Sequence, residues 1–251
     1  MGIAIITGVY ILIKLSINNS LKLQFLSSIS LKLIFWTFVG ARATAVLINF
    51  RTYFYDFGLD SIPRIFFIWD NELSLFGGAI AFFIYFYFAC KKEEQNFWRW
   101  LDVIVPAGII ALAIGHMGAF FGGINYGSPT SLPWGVNFAS PLVKYTVPIH
   151  PTQIYAFVYS SIIAISLMTL FSSPKFKAEE NTGLMGIGGI GAYSVFRFIE
   201  EFLRGDDTIL ILGIRSPKII IFLFIIFTGA IFYLRYNKIH KRSAIFKQRK
   251  K

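Results

Sequence analysis

Long apolar stretches dominate the chain and recur along its whole length. A helix needs about 20 mostly apolar residues to cross a bilayer. Seven stretches approach that length, and we call them predicted spans 1 to 7: residues 2–17, 31–50, 75–91, 102–121, 152–172, 183–203 and 218–236. The pattern predicts an all-α polytopic membrane protein with about seven transmembrane helices, organised as a single integral membrane domain over residues 1–251.

Predicted span 6 departs from this pattern because charged residues interrupt its apolar run. It opens on a glycine-rich stretch, residues 183–192, whose small side chains let neighbouring helices approach closely. It ends in YSVFRFIEEFLR, residues 193–204. At helical spacing, one face of this segment carries Tyr193, Arg197, Glu201 and Arg204. The sequence therefore predicts a polar stripe on a membrane helix.

Composition supports the membrane interpretation and excludes several other classes of protein. Hydrophobic residues make up 55% of the 251 positions, and only 15% are charged. This is more apolar than soluble domains are, and too few charges remain to cover a soluble globule. The one cysteine, Cys90, excludes an intramolecular disulfide framework. The spacing of Asp56, Asp60 and Asp70 is no ligand pattern, so we expect no metal site.

The distribution of lysine and arginine predicts the orientation. With the N-terminus outside, sixteen of these residues fall in inner segments and six in outer ones, which favours N-out/C-in. Met1 leads directly into an apolar run without a basic region, so we interpret span 1 as retained. The basic cytoplasmic tail, residues 237–251, is expected to anchor on anionic headgroups at about 1 kcal/mol per cation. Its basic residues form no separate folded module, so nucleic acid is not an expected partner.

Polar segments gather on the predicted outer side. The loop after span 4 includes residues 115–136, and a second segment, residues 147–155, leads into span 5. Pro151 suits the first turn of a helix. His150 and Gln153 then lie on adjoining turns near the boundary between water and lipid. Together with the outer ends of spans 2 and 6, these segments predict a site on this side.

Five short motifs carry a resemblance to a known family. They are GAR at 40–42, LSLFGG at 73–78, GHMGAFFGGINYGSPTSLPWGV at 115–136, HPTQIY at 150–155 and YSVFRFIEEFLR at 193–204. In their order, their intervals and the seven-span layout, the chain resembles the bacterial prolipoprotein diacylglyceryl transferases over nearly its whole length.

The resemblance implies an enzyme of lipoprotein biosynthesis in the bacterial plasma (inner) membrane. Members of the family move the diacylglyceryl group of phosphatidylglycerol onto the thiol of a lipobox cysteine in a preprolipoprotein, and glycerol phosphate leaves. The expected partners are phosphatidylglycerol, lipobox-containing preprolipoproteins and other membrane lipids. No cofactor is expected, the active site faces the extracytoplasmic side, and the oligomeric state stays open.

Two groups of residues match the family's motifs. The phospholipid-binding group consists of Arg42, Tyr193, Arg197, Glu201 and Arg204. The supporting group consists of Gly115, Gly118, His150, Gln153 and Tyr155.

Two interpretations of Arg197 are open from the sequence. An arginine within a span costs from about 3 to above 10 kcal/mol and persists where it meets a partner or a wet cavity. Arg197 and Glu201 could simply pair and lock span 6 in place. Alternatively, Arg197 and Arg204 hold a phosphodiester, whose oxygens suit a planar guanidinium, while Glu201 fixes the guanidinium of Arg197.

The chain also departs from the family's motifs. Histidine replaces a central arginine at His116, phenylalanine replaces a proposed catalytic histidine at Phe76, and the remaining replacements are Ala119, Gly122, Ile124 and Ala156. We expect His116 and Arg197 to be catalytic, with His116 acting as a base or as a phosphate ligand. His116 could instead be a histidine hydrogen-bonded between helices, and Arg42 could be a snorkelling or lipid-bound arginine.

Two alternatives to an active transferase follow from these departures. One is a catalytically degenerate homologue that binds anionic phospholipid or signal peptide without transfer. The other is a small-solute transporter or scaffold. A transporter predicts paired broken helices or an inverted repeat, and the sequence shows neither.

Overall fold

The computed structural model describes residues 2–50, 54, 73–171, 182–208 and 210–249, without the side chains of Leu75, Phe76, Ile211 and residues 242–249. The regular elements of the described chain are helices and one short antiparallel hairpin, and an irregular segment, residues 123–151, separates two of the helices. Its elements are α1 (Gly2–Asn18), α2 (Leu23–Ile48), α3 (Leu75–Lys92), α4 (Phe97–Gly122), α5 (Thr152–Phe171), α6 (Leu184–Glu200), β1 (Leu210–Ile211), β2 (Ile214–Arg215) and α7 (Ser216–Arg249).

The described helices correspond one to one with the predicted spans. Four of them, α2, α4, α5 and α7, are long and apolar enough to cross a membrane. The all-helical architecture and its membrane character are therefore confirmed, while seven crossings and the orientation stay predictions. The boundaries differ most at α2, which begins at Leu23 instead of residue 31, and at α7, which continues to Arg249, while α6 ends at Glu200 instead of residue 203. Asp56, Asp60 and Asp70 lie outside the described residues.

The chain forms two compact units, one of residues 20–97 and the other of residues 1–19 and 98–251. The first contains α2 and α3, whose backbones pack closely through glycine. A Cβ on Gly40 would lie 2.8 Å from the carbonyl oxygen of Gly77. The backbone N–H of Ser74 donates to the carbonyl of Ala41 at 3.1 Å, and the Ser74 hydroxyl caps α3. The motifs at 40–42 and 73–78 thus meet in space, and small residues make that approach possible.

The second unit contains α1 and α4 to α7, and polar contacts join one end of these helices. The Arg99 guanidinium on α4 donates to the carbonyl of Asn19 after α1, at 2.9 Å. The Arg235 guanidinium on α7 donates to the Thr182 hydroxyl at 2.8 Å and lies 4.7 Å from the centre of the Trp98 ring. The end of α1 and the beginnings of α4 and α6 therefore lie together.

Asp102 of α4 caps the N-terminus of α6 at this end. Its carboxylate accepts hydrogen bonds from the backbone N–H groups of Gly183 at 2.6 Å and Gly186 at 2.7 Å, and the residue is 2% exposed. Gly183 has a φ of +90°, a conformation that glycine adopts readily and other residues avoid. Because the first N–H groups of a helix have no partner within it, a carboxylate from another helix satisfies them.

We expect Asp102→Ala to destabilise the fold strongly. The substitution leaves two buried N–H donors without an acceptor, at a cost of roughly 2–6 kcal/mol. The thermal unfolding midpoint of the purified protein in detergent would fall. Asp102→Asn is the matched control, because it keeps one acceptor oxygen and should lose less. Equal midpoints for the wild type and Asp102→Ala would contradict the capping role.

Candidate active site

A cluster of charged residues lies at the opposite end of α6 from Asp102. Its positive members are Arg197, Arg204 and Arg215, and its negative members are Glu200, Glu201 and Asp206. We call these six residues the charged cluster. It joins the end of α6, the segment after it and the beginning of α7, so that three parts of the chain meet through ion pairs.

Arg204 is not part of α6, and the prediction of one helical face over residues 193–204 is wrong at that position. The helix ends at Glu200 because the loop after α4 captures the backbone that follows. The N–H of Ser128 donates to the carbonyl of Leu203 at 2.8 Å, and the N–H of Gly205 donates to the carbonyl of Tyr126 at 3.1 Å. Tertiary hydrogen bonds replace the helical ones, and they turn Arg204 toward the loop.

Glu201 joins two of the three arginines. Its Oε2 atom lies 2.8 Å from Arg197 Nη1, and its Oε1 atom lies 2.7 Å from Arg215 Nε. The side chain of Glu201 is fully buried, while that of Arg197 keeps 21% of its surface exposed. The ion pair considered from the sequence therefore exists, but it is one part of a larger network. An exposed fraction of Arg197 remains available to a ligand.

The other two carboxylates complete the network. Asp206 Oδ1 accepts from Arg204 Nε at 2.8 Å and from Arg215 Nη2 at 3.1 Å. Glu200 Oε1 lies 3.5 Å from Nη1 of both Arg197 and Arg204. Burial raises the pKa of Asp206, but hydrogen bonds and charge from Arg204 and Arg215 outweigh it and hold that pKa below its usual range. Asp206 is therefore ionised at neutral pH, and with every member ionised the charged cluster has a net charge of zero.

His116 reaches the charged cluster through two tyrosines. His116 Nε2 on α4 lies 3.4 Å from the hydroxyl of Tyr193 on α6. The Tyr193 ring contacts the Tyr159 ring of α5 with centroids 5.7 Å apart. The Tyr159 hydroxyl donates to Glu200 Oε2 at 2.8 Å. Three helices therefore contribute to one polar chain that runs from an imidazole to a carboxylate.

The supporting residues hold the loop after α4 against α5. Gln153 Nε2 donates to the carbonyl of Ile124 at 2.8 Å. The Thr152 hydroxyl donates to the carbonyl of Asn125 at 2.8 Å, and the side chain of Asn125 in turn accepts from Arg204 Nη2 at 3.0 Å. His150 Nδ1 lies 3.3 Å from the Tyr155 hydroxyl. These contacts position the loop that turns Arg204.

Glycines at the site differ in their surroundings. A Cβ on Gly205 would overlap the backbone of Gly127, so this crossing of two loop strands tolerates no side chain. A Cβ on Gly115 or Gly118 would meet no heavy atom within 4 Å. These two glycines flank His116 in sequence on α4, and Gly118 is exposed.

The structure brings together five of the predicted residues: His116, Tyr193, Arg197, Glu201 and Arg204. Arg42 belongs to the other compact unit, where it is 7% exposed on α2. The side chain at Phe76 lies outside the described residues.

The residues that the sequence interpretation missed are Asn125, Tyr159, Glu200, Asp206 and Arg215. Glu200, Asp206 and Arg215 could have been found from the sequence, because charged residues at the end of an apolar stretch indicate a role. Nothing in the local pattern identifies Tyr159 or Asn125.

Comparisons with known proteins identify the family of the chain. A family model for prolipoprotein diacylglyceryl transferase matches residues 1–234. The phosphatidylglycerol–prolipoprotein diacylglyceryl transferase of Prochlorococcus marinus subsp. pastoris is 30% identical over 220 residues, which cover 82% of this chain and 74% of the relative. The protein of that name from Finegoldia magna is 29% identical over 236 residues, covering 94% and 88%. The one from Clostridium tetani is 37% identical over 134 residues, covering 53% and 50%.

The family model spans most of the chain, and it includes all five motifs and every predicted site residue. The resemblance inferred from short motifs is therefore confirmed. The chain belongs to the prolipoprotein diacylglyceryl transferase family.

Proposed function

We propose that this chain moves the diacylglyceryl group of phosphatidylglycerol onto the cysteine thiol of a lipobox-containing preprolipoprotein, and that glycerol phosphate leaves. The observation that carries the proposal is the meeting of Arg197 and Arg204 with His116 at one end of α4 and α6. His116 contacts Tyr193 one helical turn before Arg197 on α6, and Arg197 keeps an exposed fraction for a ligand. The reaction uses no cofactor.

The arginines bind the phosphodiester of the lipid. A guanidinium presents two parallel donors that match phosphate oxygens. As the bond between the glycerol carbon and the phosphate oxygen breaks, negative charge grows on the leaving phosphate. Fixed cations in a site of low dielectric stabilise this charge more strongly in the transition state than in the bound lipid. Tyr193 holds the imidazole of His116 beside this position.

His116 removes the proton of the substrate thiol. A thiol with a pKa near 8.5 is mostly protonated at neutral pH and needs a base to become a nucleophile. The thiolate sulfur attacks the glycerol carbon attached to phosphate, a carbon–sulfur bond forms, and the electron pair of the broken carbon–oxygen bond goes to glycerol phosphate.

The proposed topology has seven crossings, with the N-terminus outside and the basic tail inside, in one integral membrane domain of the bacterial plasma membrane. Helix directions in the larger unit support it. The charged cluster joins the end of α6 to the start of α7, whereas Thr182 before α6 contacts Arg235 far along α7. Those two helices are therefore antiparallel. With the basic tail inside, this arrangement supports an active site on the extracytoplasmic side, where secreted preproteins arrive.

The second candidate is a homologue that binds anionic phospholipid or signal peptide and catalyses no transfer. The charge balance of the cluster favours it, because every arginine there already has a carboxylate partner. A protein of this kind would keep affinity for phosphatidylglycerol and release no glycerol phosphate.

One assay separates the two candidates. The purified protein in lipid nanodiscs is mixed with phosphatidylglycerol and a lipobox peptide, and glycerol phosphate release and the thioether product are followed by mass spectrometry. A peptide with serine in place of cysteine is the control. We expect the thioether product with the cysteine peptide and none with the serine peptide. Retained phosphatidylglycerol binding without product would support the second candidate and refute the first.

A further inference from the structure

Glu200 occupies a position that the proposed mechanism has not used. It is 4% exposed and is the terminal acceptor of the polar chain from His116. It also lies at equal distances, 3.5 Å, from the nearest nitrogens of Arg197 and Arg204, the two proposed phosphate-binding groups. One carboxylate therefore contacts both the proton path and the arginines.

The charge of the cluster limits what can bind there. Three arginines and three carboxylates cancel, so a phosphodiester leaves a net charge of −1, and the leaving glycerol phosphate adds further negative charge. Uncompensated charge in a buried site is costly. Protonation of one carboxylate offsets the charge that the leaving group adds, so the net charge of the site stays where it was with the bound lipid. Glu201 and Asp206 each have an arginine within 2.8 Å, whereas the arginine nitrogens nearest Glu200 are more distant.

The groups that face Glu200 come from several elements. Tyr159 of α5 donates to it, Arg197 lies three residues before it on α6, Glu201 follows it directly, and Arg204 approaches it from the segment after α6. The Tyr159 hydroxyl donates to Glu200, which leaves its oxygen able to accept from Tyr193, and the Tyr193 oxygen can accept from His116 when Nε2 of His116 carries the proton. Each member of this chain can pass a proton to the next.

We propose that Glu200 receives the proton displaced from the substrate thiol and thereby releases Arg197 and Arg204 to the leaving phosphate. This inference rests on the proposed transferase activity. His116 takes the thiol proton on one ring nitrogen and gives up the proton on its other nitrogen to Tyr193. Tyr193 and Tyr159 each shift one proton, and the carboxylate of Glu200 becomes a carboxylic acid.

The proton transfer and the substitution balance. The carbon–sulfur bond forms as the carbon–oxygen bond to phosphate breaks, and the electron pair leaves with glycerol phosphate. Neutral Glu200 no longer attracts the two guanidinium groups, which turn their donors to the phosphate. When glycerol phosphate departs, Glu200 returns its proton to solvent. Glu200 is a positioning residue, because it acts through the arginines without touching the lipid.

Glu200→Gln tests the release of the arginines, because glutamine has the shape of protonated glutamate and no charge. We expect the dissociation constant for dioctanoyl-phosphatidylglycerol to fall at least about threefold, since less attraction holds the arginines. The dissociation constant is measured by native mass spectrometry, with dioctanoyl-phosphatidylcholine as the control lipid. We expect kcat to fall at least about tenfold, because glutamine accepts no proton.

Tyr159→Phe separates the two parts of the inference. Phenylalanine interrupts the proton path and leaves Glu200 beside the arginines. We expect a lower kcat with a dissociation constant within about twofold of the wild type. If the role of Glu200 is only structural, Glu200→Gln will bind phosphatidylglycerol more weakly, and its kcat and thermal midpoint will both fall.

Three outcomes overturn the inference. Unchanged or weaker phosphatidylglycerol binding in Glu200→Gln contradicts the release of the arginines. Tighter binding with undiminished kcat contradicts the proton acceptor, and so does full activity in Tyr159→Phe. If the wild type makes no thioether product, the proposed function fails. The comparison of lipid binding between the wild type and Glu200→Gln then still decides whether Glu200 restrains the arginines.

Discussion

Replacement of His116 by alanine is expected to abolish diacylglyceryl transfer and leave the protein folded. A positioned base contributes about 10²–10⁴-fold to rate, and the thiol loses its base in this variant. The partner that His116 loses is the Tyr193 hydroxyl at 3.4 Å, a weak contact whose removal costs little stability. The rate of thioether formation and the thermal midpoint are measured on the same preparation.

His240→Ala is the matched control for His116→Ala. His240 lies on α7 and stacks on the ring of Tyr236, away from the charged cluster. We expect the rate of thioether formation by His240→Ala to equal that of the wild type. Near wild-type activity in His116→Ala would exclude His116 as the base, and lost activity with a lowered midpoint would indicate a histidine that only joins α4 to α6.

Replacement of Arg197 by alanine is expected to lower kcat by about 10²–10³-fold, the usual loss when one donor to a developing negative charge is removed. Loss of activity alone is ambiguous, because Arg197 also pairs with the fully buried Glu201. Removing one partner of a buried pair costs up to about 3–5 kcal/mol. The variant therefore needs a control that disturbs Glu201 equally.

Arg215→Ala is that control, because Arg215 pairs with Glu201 at 2.7 Å, against 2.8 Å for Arg197. Arg215 also donates to Asp206, so we expect Arg215→Ala to lower the thermal midpoint at least as much as Arg197→Ala does. We expect Arg215→Ala to keep activity within about tenfold of the wild type. Equal losses of activity in both variants would assign the arginines to structure and would disprove phosphate binding by Arg197.

Much of the architecture could be predicted from the apolar pattern. Each apolar stretch becomes a helix, because within a bilayer every backbone polar group must find a partner inside its own segment. The errors occur at the ends of helices. The prediction continued α6 through Arg204, but hydrogen bonds from Ser128 and Gly205 to the adjoining backbone end it earlier. Each of these hydrogen bonds joins residues more than seventy positions apart in the sequence. The local pattern around α6 therefore could not indicate where the helix ends.

The site was predicted less completely than the fold. Tyr193, Arg197 and Glu201 were evident, because polar residues at helical spacing in an apolar stretch are costly and indicate a role. The partners of these residues were not evident. Glu201 was expected to serve Arg197, but it also binds Arg215 from the beginning of α7.

The sequence by itself determined the membrane environment of this protein, the number of helices in the described residues and the family to which it belongs, because these depend on the length and order of apolar stretches and motifs. The tertiary structure alone decided that the arginines of the charged cluster are balanced by an equal number of carboxylates, and that two tyrosines lie between His116 and Glu200. Ion pairs and hydrogen bonds act over a few ångströms, so their partners are chosen by which helix ends meet in space.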